Sequence, residues 1–184
     1  MSGSSANPVP LGLFGFALNS LLFAGANLGL YNFNSVLLAS ALLLGGLAQF
    51  IAGLLSGKQG DSFGLTSFVG YALYWWSLLV VILVPELNPA WQASNTALAA
   101  YNGVWAVFTV QLGWLARNLS RADSIIFACL ALVYVMLAAF ALTDTGLALV
   151  VAGIAGVIAG ITALIAAQSM LAKTLTVKVL AVKS

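Results

Sequence analysis

The chain contains 184 residues, of which 62% are hydrophobic and 5% are charged. Because a soluble domain carries about 25% charged residues, these charges are too few to cover a globule in water. The chain has no histidine, which excludes catalysis by histidine. It has one cysteine, Cys129, which excludes an intrachain disulfide and a thiolate metal site. The net charge of +2 is scattered along the chain, so no nucleic-acid partner is expected.

Long runs without charged residues predict membrane-spanning helices, each of which needs about 20 apolar residues. The runs cover 1–57, 62–85, 87–116, 124–143 and 145–172, and a polar cluster at 31–35 divides the first run into two spans. No basic stretch precedes the first helix, so we predict that it is retained as a span. The prediction is an all-α membrane protein with one transmembrane domain, residues 1–184. Its parts are a short segment 1–8, six helices at 9–30, 35–56, 63–84, 96–116, 122–142 and 146–170, and a tail at 171–184.

The basic residues predict the orientation of the helices. With six spans, both termini and the loops after helices 2 and 4 lie on one side of the membrane. All six basic residues fall on that side, whereas the opposite loops carry Glu86 and Asp144. By the positive-inside rule, both termini are cytoplasmic. The basic residues are Lys58, Arg117, Arg121, Lys173, Lys178 and Lys183.

The predicted spans contain neutral hydrogen-bonding groups but no formal charge, which argues against a relay of carboxylates for protons. These groups suit a small polar solute or a weakly held anion, although they could equally bond one another between helices. Gln49 lies 14 residues after Ser35 and Thr109 lies 14 after Asn95, or about 21 Å from the outer end of each helix, so both are predicted near mid-membrane. The candidate path residues in the spans are Asn19, Gln49, Thr66, Tyr74 and Thr109.

The segment before helix 1 predicts a capped helix start. Asparagine favours the N-cap and proline the first turn, as in Asn7-Pro8. The free N–H groups and the positive end of the helix dipole would favour an anion there. Asn7 is therefore a candidate path residue, with a merely well-capped helix as the alternative.

A longer motif resembles a known family. Asn7-Pro8-Val9-Pro10-Leu11-Gly12-Leu13, followed by Gly15-Phe16, is similar to the signature of the acetate uptake transporters of the GPR1/FUN34/YaaH family, which includes the succinate-acetate permeases. The similarity extends over roughly residues 7–172. It continues through Gly45-Gly46-Leu47-Ala48-Gln49, Phe63-Gly64-Leu65-Thr66, Tyr71 and Val107-Phe108-Thr109.

The resemblance implies six helices per protomer, a homo-oligomer that is a hexamer, and a separate carboxylate path through each protomer. It also implies a central constriction formed by Phe16, Tyr71 and Leu130. Phe16 lies nine residues after Asn7, Tyr71 nine after Ser62 and Leu130 eight after Ala122, or roughly 12–14 Å along each helix, so the three are expected at one depth. Many bacterial members carry a histidine near the position of Asn27, where this chain has none.

The expected function is therefore transport and not enzymatic catalysis. The resemblance implies a permease, symporter or anion channel of the inner membrane for acetate and similar small monocarboxylates, with succinate as a further candidate. No cofactor or metal is implied. The alternatives are a channel for neutral solutes such as urea or short amides, and a structural or assembly protein without a continuous polar track.

Overall fold

The structure, a computed structural model, describes residues 6–183, with side chains described through Thr176. Residues 1–5 of the predicted N-terminal segment and Ser184 of the predicted tail lie outside the described residues. The all-helical prediction is confirmed for the part described. The long helices are α1 (Val9–Asn27), α2 (Ser35–Lys58), α3 (Ser62–Leu87), α4 (Asn95–Ala116), α5 (Arg121–Thr143) and α6 (Gly146–Lys183), with a short 3₁₀ turn at Pro89–Trp91.

Side-chain caps explain where most of the helices begin. The side chain of Asn34 accepts the N–H of Val36 at the start of α2, and Asp61 accepts that of Gly64 at the start of α3. Ser94 and Ser120 cap α4 and α5 in the same way. Such caps satisfy backbone donors that have no partner within the helix. The polar residues between the apolar runs therefore mark the helix starts.

Five of the helices are long and apolar enough to cross a membrane, namely α1, α2, α3, α5 and the Gly146–Thr176 part of α6. Helix α4 is not among them, because Tyr101, Asn102 and Gln111 lower its mean hydropathy. The helix bounds differ from the predicted bounds by at most three residues, except in α6. This helix continues to Lys183, whereas the sequence prediction ended it at 170.

Small residues bring the first and last helices into close contact. On α6, Gly153, Gly156 and Gly160 face α1, where a Cβ added to Gly156 would lie 3.1 Å from the Cβ of Ala24. A Cβ on Gly160 would lie 3.2 Å from the backbone oxygen of Ala17. Spacing by three and then four residues puts these glycines on one helix face. The small-residue face of α6 thus packs against α1 of the same chain.

Helix α2 contains a wide-turn segment that the sequence analysis did not predict. Residues Ala41–Ala48 form a π-helix between two α-helical parts. A Cβ on Gly45 would lie 2.7 Å from the ring of Trp75, and one on Gly46 would overlap the indole of Trp76. The two glycines therefore admit two indole rings of α3 against the backbone of α2.

Successive helices run in alternate directions, which gives the bundle two distinct ends. The end that carries the α2–α3 and α4–α5 connections is called the Lys58 end, and Arg117 and Arg121 lie there too. The opposite end, called the Glu86 end, carries the α3–α4 and α5–α6 connections and Asp144. At the Lys58 end, Gly60 has a φ of +82°, which suits glycine in the tight turn between α2 and α3.

Candidate functional site

The described part of the chain encloses a cavity toward each end of the bundle. The smaller cavity, about 260 Å³, extends toward the Lys58 end, where residues such as Asp61 and Asp123 line it. The larger cavity, about 480 Å³, extends toward the Glu86 end, where Asn27, Asn95 and Asp144 line it. Sites for small molecules typically occupy cavities of this kind, lined mainly by apolar and aromatic side chains.

The boundary between the cavities falls at the three residues of the predicted constriction. Phe16 and Tyr71 line the smaller cavity, whereas Ser20 and Tyr74, one turn further along the same helices, line the larger one. Leu130 on α5 lines both cavities. Buried side chains from α1, α3 and α5 thus separate two spaces that extend toward opposite ends of the bundle.

Tyr71 is held in position by contacts on several sides. Its hydroxyl donates a hydrogen bond to Thr109 Oγ1 at 3.0 Å, and Thr109 in turn donates to the backbone oxygen of Trp105 at 2.8 Å. The Tyr71 ring lies 6.5 Å from that of Phe16 and 6.2 Å from that of Phe127, between centroids. A phenol fixed in this way keeps its ring between the two cavities. Its hydroxyl oxygen retains a lone pair for a second hydrogen bond.

Several buried polar side chains near the boundary have no hydrogen-bond partner. Gln49 is 1% exposed and lines the smaller cavity, and its Oε1 is unpaired. Both amide atoms of Asn19, which is fully buried, are unpaired, as is the hydroxyl of Ser20 in the wall of the larger cavity. Leaving such groups unpaired costs free energy, about 1–3 kcal/mol each. A polar solute or water beside them would remove that cost.

Other predicted path residues lie outside both cavity walls. Asn7 is exposed, and its Oδ1 accepts the N–H of Val9 at 3.0 Å. Thr66 is exposed and donates to the backbone oxygen of Ser62, while Thr109 is fully buried in its bond with Tyr71. Tyr74 does line the larger cavity. The structure therefore brings Phe16, Gln49, Tyr71, Tyr74 and Leu130 to cavity walls, and leaves Asn7, Asn19, Thr66 and Thr109 outside them.

Three aspartates that the sequence patterns do not predict as path residues also line the cavities. Asp61 and Asp123 line the smaller cavity and Asp144 the larger one. Asp61 caps α3, and Asp123 accepts the hydroxyl of Ser120 at 2.6 Å in the first turn of α5. Both aspartates stand at helix starts, where the sequence predicts a capping role. The local sequence does not distinguish an aspartate that only caps a helix from one that also lines a cavity.

Apolar helices with divided internal cavities define a multi-pass membrane protein. The family model described as "GPR1/FUN34/yaaH family" matches residues 1–182 of the chain. The chain therefore belongs to the GPR1/FUN34/yaaH family, which confirms the family resemblance seen in the sequence.

Several relatives carry transport names. The succinate-acetate/proton symporter SatP of Escherichia coli (strain K12) is 35% identical over 133 residues, covering 72% of this chain and 71% of that protein. Acetate permease A of Emericella nidulans is 34% identical over 110 residues, 59% of this chain and 35% of that protein. A solved structure titled "Structure of the bacterial acetate channel SatP" matches with a TM-score of 0.90 and 31% identity, covering 94% of this chain and 95% of that one.

Proposed function

We propose that the chain is a channel or permease of the inner membrane for acetate and similar small carboxylates, and not an enzyme. The observation that carries the proposal is the pair of cavities divided at Phe16, Tyr71 and Leu130. A path of this form admits a small solute from either end and narrows at a ring of bulky side chains. Hydrophobic constrictions hinder the passage of water.

The chemistry of the boundary supports a small polar solute. Gln49 offers an unpaired amide oxygen on the smaller cavity, and Ser20 an unpaired hydroxyl on the larger one. The Tyr71 hydroxyl oxygen, whose proton is donated to Thr109, can accept a hydrogen bond, as Gln49 Oε1 can. A small carboxylic acid fits this set, because its O–H can donate to these oxygens and its carbonyl oxygen can accept from the Ser20 hydroxyl. The names of the symporter, permease and channel relatives support a carboxylate as that solute.

The proposal extends to the arrangement in the membrane. Helix α4 is the sixth span, because it packs along α5 and supplies Thr109 to Tyr71 inside the bundle. The Lys58 end faces the cytoplasm with both termini, as the positive-inside rule predicts. Each protomer carries its own path, and the protomers assemble as a homo-oligomer that the family resemblance predicts to be a hexamer. The exposed apolar side chains suit contact with lipid or with neighbouring protomers.

Uptake into liposomes tests the proposal. The purified chain is reconstituted, and the uptake of labelled acetate and labelled urea is compared with uptake by protein-free liposomes. We expect the protein to accelerate acetate uptake well above urea uptake. Accelerated urea uptake without acetate uptake would establish the neutral-solute alternative, and no acceleration of either would support a structural role. Acetate uptake is then measured with and without an imposed pH gradient. The rate of passive flux should not depend on the gradient, whereas the rate of proton-coupled flux should.

A further inference from the structure

The walls of the smaller cavity carry acidic groups where the solute is expected to be an anion. Among the described side chains, the charged residues that line this cavity are Asp61 and Asp123, both half-buried. Asp61 stands at the start of α3 and Asp123 in the first turn of α5, so both lie at the Lys58 end of the cavity. The two carboxylates therefore flank its mouth.

The described basic side chains of the same end lie outside the lining of the smaller cavity. Lys58, Arg117, Arg121 and Lys173 are all exposed, although Lys173 lies three residues beyond Met170, which does line the cavity. The guanidinium carbon of Arg117 lies 3.4 Å from the centroid of the Trp114 ring, a cation–π contact on the outer surface. The charged side chains in the described wall of the cavity itself are therefore the two carboxylates.

A second observation points to a polar ligand for this cavity. Gln49 is 1% exposed, lines the cavity and leaves its amide oxygen unpaired. The Ser67 hydroxyl in the same wall donates to the backbone oxygen of Phe63 at 2.8 Å. Gln49 Oε1 can accept the O–H of an undissociated acid or of water, whereas an anion in the cavity meets two carboxylates and no positive charge in the described wall.

We propose that Asp61 and Asp123 make the mouth of the smaller cavity selective for monocarboxylates by repelling dicarboxylate dianions. The inference rests on the proposed function and narrows its substrate class. A dianion meets twice the repulsion that a monoanion meets, because the Coulomb energy scales with the charge of the solute. A carboxylate about 8 Å from the solute in a water-like dielectric lowers dianion entry relative to monoanion entry by roughly twofold, and two carboxylates by about fivefold.

Flux of a length-matched pair of solutes tests the inference. Malonate and propionate both contain three carbons, so their flux ratio reports charge and not length. Uptake from the Lys58 end is measured at about pH 7.5, where carboxylic acids with a pKa near 4 are ionised. We expect the malonate-to-propionate ratio to rise about fivefold in the double variant Asp61→Asn/Asp123→Asn and roughly twofold in each single variant. Asparagine retains an oxygen that can cap the helix, so α3 and α5 keep their starts.

The controls separate local repulsion from a general change in charge. Glu86→Gln removes the same charge at an exposed position that lines neither cavity, and its ratio should match that of the unmodified protein. In the unmodified protein, raising the salt from about 0.01 M to about 1 M shortens the screening length from about 30 Å to about 3 Å and should raise the ratio. The salt dependence of the unmodified protein still tests the inference if the double variant does not assemble.

Each outcome has one meaning. A raised ratio in the aspartate variants, an unchanged ratio in Glu86→Gln and a salt-sensitive unmodified protein support the inference. An unchanged ratio in aspartate variants that still carry propionate overturns it and leaves the proposed function standing. A ratio that does not respond to salt in the unmodified protein also overturns it. If the unmodified protein carries neither acetate nor propionate, the proposed function fails and the inference fails with it.

Discussion

Truncation of Leu130 to alanine should open the constriction without unfolding the bundle. Leu130 is 6% exposed and lines both cavities. The change removes three carbons, which at about 0.8 kcal/mol per buried methylene corresponds to roughly 2.4 kcal/mol. The side chain already borders open space toward both ends, so little additional cavity forms. We therefore expect a loss of about 2–3 kcal/mol in the free energy of unfolding, near the lower limit for such substitutions.

The transport effect should appear as a loss of size selectivity. A barrier lowered by about 1.4 kcal/mol for butyrate corresponds to a tenfold faster flux, and acetate should gain less because it already passes. Labelled acetate and butyrate uptake are compared in liposomes containing Leu130→Ala or the control Leu132→Ala. Leu132 lies on the same helix, is 41% exposed and lines neither cavity. A Leu130→Ala protein that assembles normally yet has the butyrate-to-acetate ratio of the control would refute the assignment of the constriction.

Three further changes test individual contacts. Tyr71→Phe keeps the ring but removes the hydrogen bond to Thr109, which should lower the free energy of unfolding by about 1 kcal/mol; an unchanged unfolding midpoint in detergent would contradict this. Gly15→Ala would place a Cβ 2.5 Å from a backbone oxygen of α2 and should cost about 1–3 kcal/mol, whereas Gly103→Ala meets nothing within 4 Å and should not destabilise the protein. Asn7→Ala removes the acceptor of the Val9 N–H and loosens the first turn of α1, where Val9 lines the smaller cavity, so acetate flux should fall roughly threefold; normal flux would exclude a role for Asn7 in transport.

The helices were predictable because the membrane imposes a simple rule on the sequence. A span must exclude charge over about 20 residues, so Lys58 and Asp61 mark one connection and Arg117 and Arg121 another. The rule does not predict the end of α6, which continues to Lys183. A helix can extend beyond the bilayer surface, and the length of an apolar run does not indicate how far it extends.

The candidate site was predictable only in part. The family resemblance and the depth along parallel helices predict a constriction at Phe16, Tyr71 and Leu130. The structure brings these residues to one boundary between the cavities. Depth does not determine the face of the helix, so Thr66 lies at the protein surface and Thr109 lies in a helix contact. The direction of a side chain around its helix depends on tertiary packing, which a single sequence does not contain.

The wide-turn segment of α2 has a consequence for the evolution of the cavity. Each residue of a regular helix advances the chain by about 100° around the axis. Loss of one residue from Ala41–Ala48 would restore regular winding and rotate Gln49 by about that angle relative to the first part of the helix. Its amide would then leave the wall of the smaller cavity. A single-codon deletion in a segment that lines neither cavity could thus change which polar group a solute meets, while every cavity-lining residue stays the same.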